Sequence, residues 1–220
     1  MSEQKPATPS LAIIGGTGYA GGHIAADAAA RGLRVTAVSR SVPTTTLPDV
    51  EYVRGDLGDS AFLGKLAADH DVVVLAVHGT DPEGSDLAER MPTVADAVRD
   101  LARLGVVGGA GSLTVSEDGP RVVDTPEFPE AFKPEALAHA DVLTWLQAHG
   151  GDLDWFYVSP ALDFGSYAPG EATGTYRVGG DVAVFDADGK SEISGADYAK
   201  AFVDEIVTPA HHRQRFTVAY

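Results

Sequence analysis

Short apolar runs alternate with stretches of helical period along most of the chain. SLAIIGG (10–16) is an apolar run that ends in glycines, and RVTAVSR (34–40) and EYVRGD (51–56) follow it. DVVVLAVHG (71–79) is apolar through its middle, the pattern of a parallel strand buried on both faces. VVGGAGS (106–112) and LDWFYVSPAL (153–162) complete a set of six predicted strands. Between them, residues 19–31 read as a helix closed by Gly32, and Asp59 caps a short helix with Phe62 and Leu66 on one face. A third helix has Pro92 in its first turn and Val94, Ala97, Val98, Leu101 and Leu104 at helical spacing, and a fourth spans 134–148.

After residue 163 the pattern changes. GTYRVGGDVAVFDADGKSEIS (174–194) alternates polar and apolar residues around Gly179-Gly180 and Asp188-Gly189, which predicts a hairpin. Ser194 and Asp197 make a capping box for a helix carrying Tyr198, Phe202 and Ile206 that stops before Pro209, and RFTVAY (215–220) reads as a last strand. Strands alternating with helices imply right-handed crossovers. The expected fold is α/β: a Rossmann-type doubly wound parallel sheet with helices on both faces and a small C-terminal α+β substrate lobe. Residues 1–9 are expected to be a disordered lead-in, 10–163 the nucleotide-binding core, and 164–220 the lobe packed on the same domain.

Composition narrows the chemistry. None of the 220 residues is cysteine, which removes disulfides, thiolate metal sites and cysteine nucleophiles. A formal charge of −16 opposes phosphate backbones and anionic bilayers, so no nucleic acid and no membrane partner is expected. No run of apolar residues is long enough for a membrane span, and the N-terminus lacks the charged and apolar regions of a signal peptide. The expectation is a cytoplasmic protein, monomer or homodimer, with a small-molecule substrate. No His, Asp and Glu spacing reads as a metal site, His211-His212 included, and no nucleophile elbow is present.

The glycines at 15, 18 and 21 are spaced G-x-x-G-x-x-G between a strand and a helix. That context suits a dinucleotide: one glycine turns the chain, one lets amides approach a pyrophosphate, and one lets helix and strand pack closely. Strand two ends in Ser39 and Arg40, with no carboxylate before Asp49. A hydroxyl and a guanidinium suit a 2′-phosphate, so NADP(H) is expected over NAD(H).

GGTGYAGGHI, VSR after strand two, GDL (55–57), VVGGAGSL and LDWFYVSPA together resemble the atypical short-chain dehydrogenase/reductase superfamily. The resemblance is strongest to its NAD(P)H-binding, NmrA-like and flavin-reductase-like (biliverdin reductase B-like) branch. It implies that Gly15, Thr17, Gly18, Tyr19 and Gly21 contact the pyrophosphate, Arg40 the 2′-phosphate, and Asp56 and Leu57 the adenine. It further implies that Ala76, Val77 and His78 line the cofactor, Gly109 to Ser112 lie near the nicotinamide, and Pro160 lies beside its ribose. Lys133 matches the lysine that opens the next helix in relatives. Members of the superfamily place a tyrosine four residues before that lysine; here the position is Pro129, which has no proton to give.

Hydride transfer to an acceptor that stabilises its own charge needs less help from an acid. Ser112, Lys133 and His78 are the candidate catalytic residues. Tyr167, Tyr176 and Tyr198 are alternative proton sources, and Phe128, Phe132, Phe164, Tyr167 and Tyr176 flank the expected cleft. His139 falls on the apolar stripe of its helix and is expected to be a core histidine bonded to a backbone carbonyl. The leading expectation is an NADPH-dependent reductase acting on a flavin, quinone or ketone. The alternatives are a non-catalytic NADP-binding redox sensor and a cofactor-assisted isomerase or epimerase.

Overall fold

The computed structural model describes residues 8–80 and 86–220; most of the 1–9 lead-in lies outside them. Among the described residues the strands are β1 (Ser10–Ile14), β2 (Arg34–Ser39), β3 (Val50–Arg54), β4 (Val72–Leu75), β5 (Arg103–Val107), β6 (Trp155–Ser159), β7 (Arg177–Gly179) and β8 (Gln214–Ala219). The helices are α1 (Tyr19–Ala30), α2 (Ser60–Asp69), α3 (Leu87–Val98), α4 (Lys133–His149) and α5 (Gly195–Val207). One sheet runs in the order β3-β2-β1-β4-β5-β6-β8-β7, with every neighbour parallel except β7 against β8. The order reverses between β1 and β4, where ligands of open α/β sheets bind at the strands' carboxyl ends.

Alternation along the strands explains both helical layers. Leu11 and Ile13 of β1 point to one face, where Ile24, Ala25 and Ala28 of α1 meet Tyr198, Phe202 and Ile206 of α5. Ala12 and Ile14 point to the other, against Leu63 and Leu66 of α2, Met91 and Val94 of α3, and Val142 and Leu146 of α4. Both faces are apolar, so the strands read as continuous hydrophobic runs. Gly105 in β5 leaves room for Phe156; a Cβ there would lie 2.6 Å from that ring.

Several boundaries differ from the sequence-based expectation. Helix α3 stops at Val98, and Asp100 turns the chain with a φ of 60°. Leu104 is therefore a strand residue of β5, and Leu101 is exposed. Pro92 is the sixth residue of α3, not part of its first turn, and lies on the exposed side. Strand β5 begins at 103 and ends before the glycines, so 108–112 is a loop. The run at 71–79 is likewise longer than β4, because the apolar Ala76 and Val77 continue it past the ladder.

The 174–194 segment does not form a hairpin of its own. Its three-residue strand β7 pairs antiparallel with β8, Val178 opposite Val218. The Asp188-Gly189 turn closes by bonds from Asp186 to Lys190 without flanking ladders. The capping box stands as expected: Ser194 Oγ accepts from the Asp197 amide at 3.1 Å. From 164 onward the chain thus supplies an irregular stretch over the sheet's carboxyl edge, and then α5 and β8, which sit in the helical layer and in the sheet.

Candidate dinucleotide site

Three glycines close the β1–α1 turn by different contacts. Gly15 has a φ of +85°, and a Cβ on it would lie 2.1 Å from the Ala76 carbonyl oxygen, so the turn and the approach of β1 to β4 both require glycine. Gly21 would place a Cβ 2.2 Å from the Gly15 carbonyl oxygen, which seats α1 on the turn. Gly16, unassigned by the spacing, packs against Ala37 of β2 with 2.7 Å for a built Cβ. Gly18 is the helix N-cap and meets nothing closer than 3.3 Å.

The N-terminus of α1 differs from those of α2 and α5. Asp59 and Ser194 cap the latter two through their side chains, whereas α1 has no side-chain cap and no acidic residue in its first turn. Its amides and positive dipole end are left for an anion. Thr17 and Gly18 are exposed there. The Tyr19 side chain turns away: its hydroxyl donates to the Pro169 carbonyl, and its ring packs on His23 and Phe164. Only its amide is free for a phosphate.

At the ends of β2 and β3, a cleft of about 440 Å³ is lined by Arg40, Arg54, Gly55 and Asp56. The register sets Arg54 opposite Ser39, which brings the two arginines to one place. Arg40 and Arg54 carry no hydrogen bond or ion pair among the described residues, while Arg31 and Arg34, at the other end of β2, are both bonded. Two guanidiniums side by side, unpaired among the described residues, have the chemistry to receive an anion. Arg54 was missed in the sequence; the matched ends of two adjacent strands were the available signal. The Ser39 hydroxyl donates to the Ser41 carbonyl at 2.6 Å. Asp56 accepts from the Gly58 amide at 2.7 Å, and Leu57 packs against the α2–α3 face.

The ends of β4, β5 and β6 bring the remaining residues together. Ala76 packs on the α1–α5 face and Val77 on the opposite one. The Gly109 amide donates to the Tyr157 hydroxyl, which donates in turn to the His139 carbonyl, both at 3.0 Å. Burial pushes the Tyr157 phenol well up, so it stays neutral. Ser159 Oγ donates to the Gly109 carbonyl, and Pro160 beyond it is buried. Gly109 is thus held by the fold at both polar atoms.

The three candidate catalytic residues do not bond to one another. Lys133 is paired with Glu130. His78 is exposed and lies 3.2 Å from Glu135 Oε1. Ser112 accepts from Arg215 at 3.1 Å. His139 corrects the expectation made for it: it is buried, but its Nε2 lies 3.2 Å from Glu135 Oε1 and bonds no carbonyl. Glu135 Oε1 also accepts from the Gly79 amide at 3.0 Å. Burial works against the Glu135 charge, yet the bonds from His139 and Gly79 outweigh it and hold the carboxyl at about 2.

The aromatic residues separate. Tyr198 is a core residue whose hydroxyl donates to the Val158 carbonyl. Tyr176 donates to Asp204 beside α5. Phe164 packs on Tyr198, and Phe128 joins a small cluster with Leu113 and Val122. Among the described residues only Phe132 and Tyr167, stacked with centroids 5.6 Å apart, present an exposed aromatic surface, next to Lys133. Among the described residues no group of three or more His, Asp or Glu side chains is placed to hold a metal, and no helix is long and apolar enough to cross a membrane.

A doubly wound sheet with an uncapped, glycine-lined helix at its reversal point defines a dinucleotide-binding protein. The NAD(P)H-binding family model matches residues 15–209, and the chain belongs to that family. It is 36% identical over 211 residues to the uncharacterized protein YwnB of Bacillus subtilis, covering 94% of this chain and 97% of that protein. A Streptococcus pneumoniae structure provisionally named an NADH-flavin reductase superposes with a TM-score of 0.84 and 34% identity, over 96% of this chain and 99% of that one. A Bacteroides thetaiotaomicron structure provisionally named an epimerase gives 0.85 and 32%, over 97% of each.

Proposed function

We propose that the protein is an NADPH-dependent oxidoreductase of the atypical short-chain type that reduces a small conjugated acceptor such as a flavin, quinone or ketone. The observation that carries the cofactor choice is the cleft shared by Arg40 and Arg54, whose unpaired guanidiniums suit the 2′-phosphate that distinguishes NADP(H) from NAD(H). The first-turn amides of α1 would hold the pyrophosphate, and Gly109, Pro160 and Ala76 would bound the nicotinamide end. When bound, the nicotinamide supplies a hydride. The chain's own part is to hold the acceptor, exclude water and place a donor at its oxygen.

The flavin-reductase name of the S. pneumoniae relative supports the choice of acceptor. The exposed Phe132–Tyr167 pair supports a planar one. Oxidation of NADPH by the purified protein with a panel of flavins, quinones and aryl ketones tests the reading. Turnover with at least one acceptor, faster with NADPH than with NADH, is expected; no turnover across the panel overturns it.

Pro129 favours a second reading, a cofactor-binding sensor without catalysis, because the acid of the superfamily is missing at that position. Tight NADPH binding with no turnover, and recovery of a protein partner, would select it.

A further inference from the structure

Ser112 is not alone at the end of the β5 loop. Arg215 of β8 stands beside Tyr157 of β6 in the strand register, and its side chain is only 6% exposed. Its Nη1 donates to Ser112 Oγ at 3.1 Å and its Nε to Asp181 Oδ1 at 2.7 Å, with Nη2 on the same carboxylate oxygen. Arginine offers donors only. Ser112 Oγ must therefore accept in this bond, and its own hydrogen is turned to another acceptor. No protein acceptor for that hydrogen is found among the described residues, and the serine is half-buried in the loop that follows β5.

The electrostatics are uneven in a useful direction. Asp181, the partner of the guanidinium, is 74% exposed, so water screens its charge. The guanidinium is buried and screened less. Its charge reaches the sheet's carboxyl end: burial raises the Tyr157 phenol most, and the Gly109 bond and Arg215 pull it part of the way back.

We propose that Arg215 is a positioning residue: its buried guanidinium sets Ser112, already a candidate catalytic residue, as the donor of an oxyanion site. The Ser112 hydroxyl donates to the carbonyl or quinone oxygen of the acceptor, and Arg215, by donating to Ser112 Oγ, positions that hydroxyl and strengthens it as a donor. The inference rests on the reductase reading above. As the acceptor carbon takes a hydride, its C=O π pair moves onto oxygen. The acceptor gains two electrons, the dihydronicotinamide loses the same two, and water supplies the proton that completes the new O–H, so Ser112 ends as it began. With Pro129 in the tyrosine's place, the oxygen is held by Ser112 while water protonates it. The arrangement also assigns a class of substrate: an acceptor whose oxygen becomes anionic as hydride arrives.

The test uses the full chain loaded with NADP⁺ and 4-nitrophenol, whose coloured phenolate reports its own ionisation. On the unaltered protein the bound probe should ionise about one pH unit or more below the free probe, a tenfold stabilisation of its anion. Ser112→Ala and Arg215→Met should each remove most of that shift, and Arg215→Lys, which keeps a cationic donor, should retain part of it. Turnover of a quinone should fall roughly a hundredfold in Ser112→Ala, with the KM for NADPH unchanged. The double variant should be no worse than Ser112→Ala alone, because Arg215 acts through the serine.

A probe that fails to bind, or that ionises alike when bound and free, overturns the oxyanion site. So do single-variant losses that multiply in the double variant while thermal stability falls in step, which would mark Arg215 as a structural clip. If Arg215→Met does not fold, Arg215→Lys and Ser112→Ala decide the matter. Titration of NADPH fluorescence separates the two levels. Loss of NADPH binding overturns the cofactor reading itself, whereas intact binding with an unshifted probe overturns the oxyanion site alone.

Discussion

Glu135 and His139 lie one turn apart on α4, with Glu135 Oε1 3.2 Å from His139 Nε2, and the same oxygen holds the Gly79 amide at the end of β4. This carboxylate ties the helix that follows β5 to the loop that follows β4. Its folded pKa of about 2 lies below the ordinary value of 4.5, so its stabilisation is present above pH 4.5 and is lost as pH falls towards 2. Glu135→Gln is expected to destabilise at pH 7 by about 1–2 kcal/mol, a figure discounted because the side chain is 39% exposed. Urea unfolding of both proteins from pH 7 to pH 2 checks it; a penalty that does not shrink with acid would contradict the assignment.

Arg54 is expected to matter only when a 2′-phosphate is present. Arg40→Ala and Arg54→Ala should each weaken NADPH by roughly 10- to 100-fold and leave NADH nearly unchanged, the range of a charge-assisted hydrogen bond. Both effects should fade in high salt, because the cleft is open to solvent. Binding of 2′,5′-ADP compared with 5′-AMP isolates the phosphate from the rest of the cofactor.

The glycines of the first turn are expected to separate by contact. Gly15→Ala combines a φ of +85° with a Cβ 2.1 Å from a carbonyl oxygen, and should cost about 3 kcal/mol or more. Gly22 lies inside α1 with its nearest atom 3.9 Å from a built Cβ, so Gly22→Ala should stabilise by about 0.5–1 kcal/mol. Denaturant midpoints of the two variants measure the contrast.

Far from the ligand edge, Arg103 at the start of β5 pairs with Glu205 at 2.7 Å, and both side chains are nearly inaccessible. Arg103→Met should cost about 1.5–3 kcal/mol, because Glu205 loses the guanidinium but keeps His211 and the Ala210 and His211 amides, with cofactor affinity unchanged in the protein that still folds. Loss of affinity without loss of stability would show that the two ends of the sheet are coupled.

The part of the site that was legible in the sequence is the local part. The positive φ of Gly15 and the seat of Gly21 on the Gly15 carbonyl lie within one turn of chain, so a spacing rule finds them, although the approach of Gly15 to Ala76 is long-range. Asp59 and Ser194 cap the helices that follow them for the same reason. Arg54 and Arg215 depend on which strands become neighbours, and Arg215 reaches a serine 103 positions away, with nothing in the local sequence to mark it. The misplaced hairpin has a related cause. Alternation showed that 177–179 is extended, but a strand of three residues cannot announce its partner, and that partner lies beyond an intervening helix. The apolar run at 106–112 extends past β5 into a glycine loop where Gly108 and Gly111 stay buried after the ladder has stopped, so the pattern places the strand too late.

The placement of β8 between β6 and β7 has a consequence for the order of assembly. Strand β7 touches the sheet only through β8, so a segment made earlier in the chain has no edge to join until a later one has docked. The intervening α5 must first fold down on α1, which closes a loop from one end of the sequence to the other. The last step of folding is therefore expected at this edge, with the bonds of Asp181 to Arg215 and of Arg177 to the Tyr220 carbonyl forming together. The serine that faces Arg215 would then gain its partner only in the finished molecule, so a partly folded chain would bind nucleotide before it could orient an acceptor.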